Sequence, residues 1–199
     1  MANVLNRLSV RIRRNGCIRT FTYALFVVVL ERCGVSVTSE FQLGVSPLTP
    51  SNPPPDGFMP SLVTKMSQLT DRDRDFLREY GEVEGFEIRF SKGKTCLILR
   101  SLNDDLACVC WFGPVQNSNA DSDSRDGMID HCFTHSEYRG RGLYPWALRH
   151  IVTLTDETNE AVFSAVFIEC SRFNHSSASG IRKAGFVPTR TYLTFGNRT

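Results

Sequence analysis

The passage from Met128 to Leu154 constrains the fold of this sequence most tightly. A strand-like stretch, Met128–Thr134, runs into Thr134-His135-Ser136-Glu137-Tyr138-Arg139-Gly140-Arg141-Gly142-Leu143-Tyr144-Pro145. Apolar residues then recur at helical spacing over Leu143–Leu154. A strand feeding a glycine turn and then a helix points to an α/β arrangement. Two glycines let the backbone approach a ligand and turn its N–H groups one way. The helix start adds unpaired N–H donors and a partial positive charge, a ready site for an anion. Arg139 and Arg141 bring charge suited to phosphate oxygens, and Pro145 sits well in a first helical turn. Taken alone, the RGRG stretch reads better as a glycine-rich surface turn with solvated arginines. It is neither a GxxxxGK[ST] loop nor a GxGxxG loop.

The surrounding pattern supports a mixed sheet. Leu62–Leu69 reads as a short strand, and Thr70 as the N-cap of a helix through Tyr80, with Asp71 and Asp73 in its first turn. Thr95–Arg100 and Leu106–Phe112 read as a hairpin around Leu102-Asn103-Asp104-Asp105. Ala161–Cys170 is a buried strand, Asn174–Ala184 a helix closed by Gly185, and Phe186–Phe195 the last strand. The expected class is therefore α/β (α+β): a mixed central sheet flanked by helices, with an N-terminal helical extension.

Residues 46–60 hold Pro47, Pro50, Pro53, Pro54, Pro55 and Pro60, six of the nine prolines. Proline fixes φ and removes donors, so this segment reads as an extended linker. It divides the chain into an extension (1–45, partly helical) and a compact domain (61–199). Arg7, Arg11, Arg13, Arg14 and Arg19 precede the apolar run Phe21–Leu30. That run is too short for a bilayer, which needs about 20 residues. A helix packed on the domain is expected, and contact of residues 1–33 with a membrane surface is an open alternative.

A net charge of +2 gives no reason to expect a nucleic-acid partner. The 7 cysteines are odd in number and lack CxxC spacing, which fits buried thiols in a reducing, cytoplasmic setting and no metal site.

Residues 127–186 resemble the central motifs of the GNAT N-acetyltransferase superfamily. The family passage V-x-P-x-(Y/F)-R-G-x-G is similar to Thr134 through Gly142. Its (Q/R)-x-x-G-x-(G/A) core is met by Arg139 and Gly142, with Tyr144 at the last position. A second family motif, N-x-x-(S/A)…K-x-G-F, is met by Asn174, Ser177, Lys183, Gly185 and Phe186. The resemblance implies that acetyl-CoA is the co-substrate and a small-molecule amine the acceptor. Backbone N–H groups from Arg139 through Gly140, Arg141, Gly142 and Leu143 to Tyr144 would hold the pyrophosphate. Backbone groups near Phe133 and Thr134, where strands splay, would pair with the pantetheine arm, and Asn174 would hydrogen-bond CoA.

Asp130 and His131, on the strand leading to the loop, are the candidate bases, and strand alternation places them on opposite faces. The family's frequent acid, a Tyr seven residues after the motif Asn, is Ile181 here. Ser176, Ser177 or Tyr144 would have to substitute, or the thiolate would leave unprotonated. Members with an RG(K/R)GLYP loop are associated with cell-surface polysaccharide synthesis, so an amino sugar is one acceptor the resemblance suggests. A CoA-binding pseudoenzyme and a membrane-peripheral module are the alternatives. The family also has a final strand for which Gly196–Thr199 are too few residues. That edge is expected to stay open or to be covered from the 1–45 segment. The oligomeric state is not legible.

Overall fold

In the computed structural model, the described residues are 35–44, 53–115, 125–154 and 161–195. They form one seven-stranded sheet in the order β2-β3-β4-β5-β6-β1-β7. The strands are β1 (Val35–Gly44), β2 (Phe58–Val63), β3 (Thr95–Ser101), β4 (Leu106–Pro114), β5 (Gly127–Thr134), β6 (Ala165–Ser171) and β7 (Val187–Phe195). Helices α1 (Asp71–Tyr80) and α2 (Val83–Ser91) precede β3; α3 (Leu143–Val152) follows β5 and α4 (His175–Lys183) follows β6.

Strand alternation separates two apolar layers. Cys96, Ile98, Val109 and Trp111 pack with Leu77 of α1 and Phe86 of α2. Leu97, Leu99, Cys108, Cys110, Phe112 and Ile129 pack with α3 and α4 on the other face. Burial on both faces explains why β4 is apolar over nearly its whole length.

β1 corrects the domain boundaries expected from the sequence. It lies inside the sheet, antiparallel to both β6 and β7, so the 1–45 segment is not wholly an extension. Val35–Gly44 do not cap an outer edge: they enter between β6 and β7. Phe41 is fully buried in the core, and the buried Glu40 carboxylate accepts from Thr189 Oγ1 at 2.8 Å and Arg190 at 2.9 Å. The linker also ends earlier than expected, because Phe58, Met59 and Pro60 already pair with β3 as the start of β2. The strand expected over Leu62–Leu69 stops at Val63. There Gln68 Oε1 accepts from the N–H of Thr64 (2.7 Å) and Lys65 (3.2 Å), turning Met66–Gln68 into a 3₁₀ turn. Helix α2, not foreseen, carries Val83, Phe86 and Phe90 on one face. The apolar run Phe21–Leu30 lies outside the described residues.

Helix α1 begins where the sequence places it. Thr70 caps Asp73 N (3.1 Å), while Asp73 Oδ2 accepts from Thr70 N (2.9 Å). The same Asp73 carboxylate is buried against Arg100, which also donates to Ser61 Oγ at 2.7 Å. Replacing Asp73 would leave the Arg100 guanidinium, which has little solvent contact, with only the half-exposed Asp104 as an ion partner at 3.6 Å. Asp73→Ala is expected to lower unfolding stability by about 3–5 kcal/mol in a denaturant titration. A loss within 0.5 kcal/mol would show the pair contributes nothing.

Candidate functional site

β5 is held on both sides only at its start. Its parallel ladder with β6 runs from Gly127↔Val166 to Ile129↔Ile168 and ends. On the other side, the antiparallel register with β4 shifts between Trp111↔Asp130 and Val109↔Phe133. One residue of β4, Cys110, therefore faces two of β5, His131 and Cys132, which is a β-bulge. His131 adopts φ 45°, a left-handed conformation uncommon in a residue with a side chain. A bulge bends its strand. Beyond Ile129 the two strands part, and among the described residues the β6-facing backbone edge of residues 130–134, Phe133 and Thr134 included, has no ladder partner.

The bulge also overturns the expectation that Asp130 and His131 point apart. The extra residue breaks the alternation, and His131 Nδ1 lies 3.2 Å from Asp130 Oδ1. Asp130 Oδ1 is buried and makes no well-aligned hydrogen bond, while Oδ2 accepts from Lys94 Nζ. Burial pushes the Asp130 carboxyl up, but contacts with His131 and Lys94 outweigh it and hold the group below the usual carboxylate range. A depressed pKa stabilises the fold above the unfolded value. That contribution is lost only as the pH falls below about 4. At neutral pH a fixed carboxylate thus faces an imidazole whose side chain is 59% exposed.

The register extends this site across the open sheet face. Asp130 stands one residue past the last β5–β6 pair, level with Glu169 of β6. Glu169 pairs with Glu40 of β1, and Glu40 with Arg190 of β7. Tyr192 donates to Glu169. A row of carboxylates therefore crosses the sheet, ended by Lys94 and Arg190. Beside it, Phe133 meets Phe76 (5.8 Å between centroids) and Tyr80 (5.5 Å) of α1, and His135 continues this aromatic wall.

The glycine loop follows directly. His135 caps the 3₁₀ turn Ser136–Tyr138, and Tyr138 donates to Asp105 at 2.8 Å, anchoring the turn to the β3–β4 connection. Gly140 and Gly142 take φ 80° and 77°, and a Cβ at either would meet only open space. Among the described residues, the N–H groups of Gly140, Arg141, Gly142, Leu143 and Tyr144 meet no backbone carbonyl. They stand at the start of α3, where unpaired N–H groups and the helix dipole suit an anion. The arginines have different tasks. Arg139 Nε donates to Thr134 O at 3.0 Å and pins the loop to β5. Arg141 lies over the Tyr138 ring at 5.4 Å and is exposed.

Asn174 is the N-cap of α4, accepting from Ser177 N at 3.2 Å. Ser177 Oγ is 3.1 Å from Tyr144 Oη, which joins α4 to the first turn of α3. Ser176 faces solvent, and Ile181 is fully buried in the core. Of the residues singled out from sequence, Asp130, His131, Phe133 and Thr134 meet at the splay. Arg139–Tyr144 and Ser177 lie beyond it on the α3–α4 side. Lys94, Glu40, Glu169 and Phe76 were missed, since only the sheet register brings them here.

No protein-family model and no curated protein matches the sequence. Solved structures match the fold. One is a putative GNAT-family acetyltransferase from Novosphingobium aromaticivorans, 15% identical, TM-score 0.51, covering 80% of this chain and 62% of its own. Another is a GCN5-related N-acetyltransferase from Sphaerobacter thermophilus, 13% identical, TM-score 0.50, covering 84% and 54%. A third is a GCN5-related glucosamine N-acetyltransferase region in a fungal multi-domain GH3 β-N-acetylglucosaminidase, 12% identical, TM-score 0.55, covering 90% and 23%. This chain thus spans less than two thirds of each of these proteins. Its fold is that of the GNAT acetyltransferases.

Proposed function

We propose that this chain is an N-acetyltransferase that moves an acetyl group from acetyl-CoA to a primary amine of a small molecule. The observation that carries the reading is the pairing of two features on one strand. β5 ends in a bulged, splayed edge with unpaired backbone groups, and runs straight into a helix start with five open N–H groups. An extended arm ending in a diphosphate fits both at once. The N–H groups of Gly140 to Tyr144 would take the diphosphate, the edge at Phe133 and Thr134 the amide-bearing arm, and the Asn174 amide a further polar group.

In the reaction the amine nitrogen attacks the thioester carbonyl, the C–S bond breaks, and an amide and CoA thiolate result. The amine must first lose a proton. His131 takes it, with Asp130 holding the imidazole and stabilising its charged form. The carboxylate row suits an acceptor that arrives as an ammonium cation. The Phe76–Tyr80–Phe133 wall suits one with a flat apolar face, which an amino sugar ring offers, and glucosamine is the substrate named for one structural neighbour. The buried Ile181, where the resemblance expects an acid, favours a second reading, a CoA-binding protein without turnover. A panel of amino sugars and alkylamines with thiol release as readout decides between them. Release with at least one amine supports the enzyme; acetyl-CoA binding with no release across the panel supports the second reading.

A further inference from the structure

Lys94 reaches Asp130 across a strand, and the local structure fixes how. Helix α2 closes on Gly93, whose φ of 72° turns the chain back, and Lys94 N–H donates to Arg89 O at 3.1 Å. Lys94 therefore leads into β3 in a set orientation, beside Gly113 of β4. Gly113 carries no side chain, so the lysine stem lies against the strand; a Cβ at 113 would stand 3.5 Å from its Cγ. The ammonium ends on Asp130 Oδ2 in β5. Asp130 in turn pairs with Trp111, whose ring packs with Phe86 and Phe90 of α2. Only 15% of the Lys94 side chain and 25% of the Asp130 side chain are exposed, and charges so enclosed need each other.

An ion pair that served stability alone would gain nothing from burying an oxygen without a hydrogen bond. Asp130 Oδ1 is such an oxygen, and it lies 3.2 Å from His131 Nδ1. The carboxylate thus stands between two nitrogens, Lys94 Nζ on one oxygen and His131 Nδ1 on the other. It favours the tautomer with the proton on Nδ1, which leaves Nε2 as the basic nitrogen. A carboxylate with no cation would hold the imidazole in its charged form; Lys94 balances that pull. Around the pair, Glu169 of β6 stands level with Asp130 and is exposed. Arg89 of α2 lies over Trp111 at 5.5 Å, with its guanidinium 3.5 Å from Glu82. Cys110 of β4 stands opposite the bulge, Cys132 follows His131, and Tyr80 of α1 lies against Phe133. Among the described residues, Lys94 is the one cation besides His131 paired with Asp130.

We propose that Lys94 is a positioning residue for the base: it fixes Asp130 against His131 and balances its charge, so the imidazole meets the amine ready to take a proton. This rests on the acetyltransferase reading above. As the amine nitrogen bonds to the carbonyl carbon, its N–H proton passes to His131 Nε2 and from there to water. The C–S electron pair leaves with sulfur, and neither Asp130 nor Lys94 gives up or gains a proton.

The test follows the His131 imidazole of the free protein by NMR between about pH 5 and 9, its signal assigned as the one missing from His131→Gly. Lys94→Gln keeps a donor for Asp130 and removes the charge, Lys94→Met is a second neutral variant read the same way, and Lys94→Arg keeps the charge. Loss of the positive charge favours the imidazolium. The His131 midpoint should therefore rise by about one pH unit in Lys94→Gln and stay near wild type in Lys94→Arg. On an amine that gives thiol release, the rise of kcat/KM with pH should move by the same amount, so that roughly tenfold lost at neutral pH is regained at alkaline pH. The amine's own titration is shared by all the proteins, and only the difference between them is read. An unmoved His131 midpoint in a cooperatively melting neutral variant overturns the proposal, as does a loss of kcat/KM that is equal at every pH. A midpoint that moves as far in Lys94→Arg overturns the role of the charge. Thiol release from no amine, with the midpoint still moving, overturns the acetyltransferase reading and not the coupling of Lys94 to His131.

Discussion

A chain lacking residues 1–44 will not fold. β1 is hydrogen-bonded on both sides, so its removal takes away two ladders at once and leaves β7 without a neighbour. Phe41 leaves the core, where truncating a buried Phe alone costs about 3–5 kcal/mol. Arg190 and Thr189 lose the Glu40 carboxylate. Together with the two lost ladders, these losses are of the order of the roughly 5–15 kcal/mol that holds a typical domain together. Circular dichroism on residues 45–199 should show no cooperative melt. A cooperative melt like that of the full chain would mean β1 is dispensable. Any test of membrane contact through residues 1–33 must therefore spare Val35–Gly44: vesicle binding lost on removing residues 1–33 supports that contact, and unchanged binding excludes it.

Replacing His131 is expected to have the largest effect on turnover. A positioned base contributes about 10²–10⁴-fold, so kcat should fall by that range in His131→Ala. The backbone permits a sharper version. At φ 45° the imidazole-bearing residue sits in a left-handed conformation that costs about 1–2 kcal/mol, and glycine adopts it freely. His131→Gly should leave melting temperature unchanged or raised while activity collapses. A strained residue whose relief abolishes turnover is held there for function. If His131→Gly keeps wild-type turnover on an accepted amine, His131 is not the base, and Asp130 acting through water becomes the candidate.

Both features were partly legible. Val35, Val37, Phe41 and Leu43 alternate with Ser36, Thr38, Glu40 and Gln42, a period of two that announces β1. The proline-rich stretch that follows made the segment read as an appendage, though proline says nothing about where the preceding strand pairs. Helix α2 carries a signal in Val83, Phe86 and Phe90, but Gly85 interrupts it and Gly81 and Gly93 flank it, which hid it. The strand–loop–helix core was readable because each element carries its own signal: the Thr70 cap, the hairpin turn, the glycines at 140 and 142, and Gly185 after α4. The bulge was not. Register is a property of two strands, and nothing in Asp130-His131-Cys132 reports that one residue of β4 faces two of β5. For the same reason Lys94, Glu40 and Glu169 were invisible as site residues.

On the proposed function, the open N–H groups at the start of α3 hold the diphosphate of an acyl-CoA. Calorimetric titration with acetyl-CoA, wild type beside Gly142→Val, tests it most directly. Valine cannot adopt φ 77° without strain, so the cradle should deform while the core beneath it stays packed. Saturable binding to the wild type is expected, weakened at least about tenfold (some 1.4 kcal/mol) in a Gly142→Val protein that still melts cooperatively. No binding to the wild type at high micromolar concentration, or equal binding to both proteins, would contradict it.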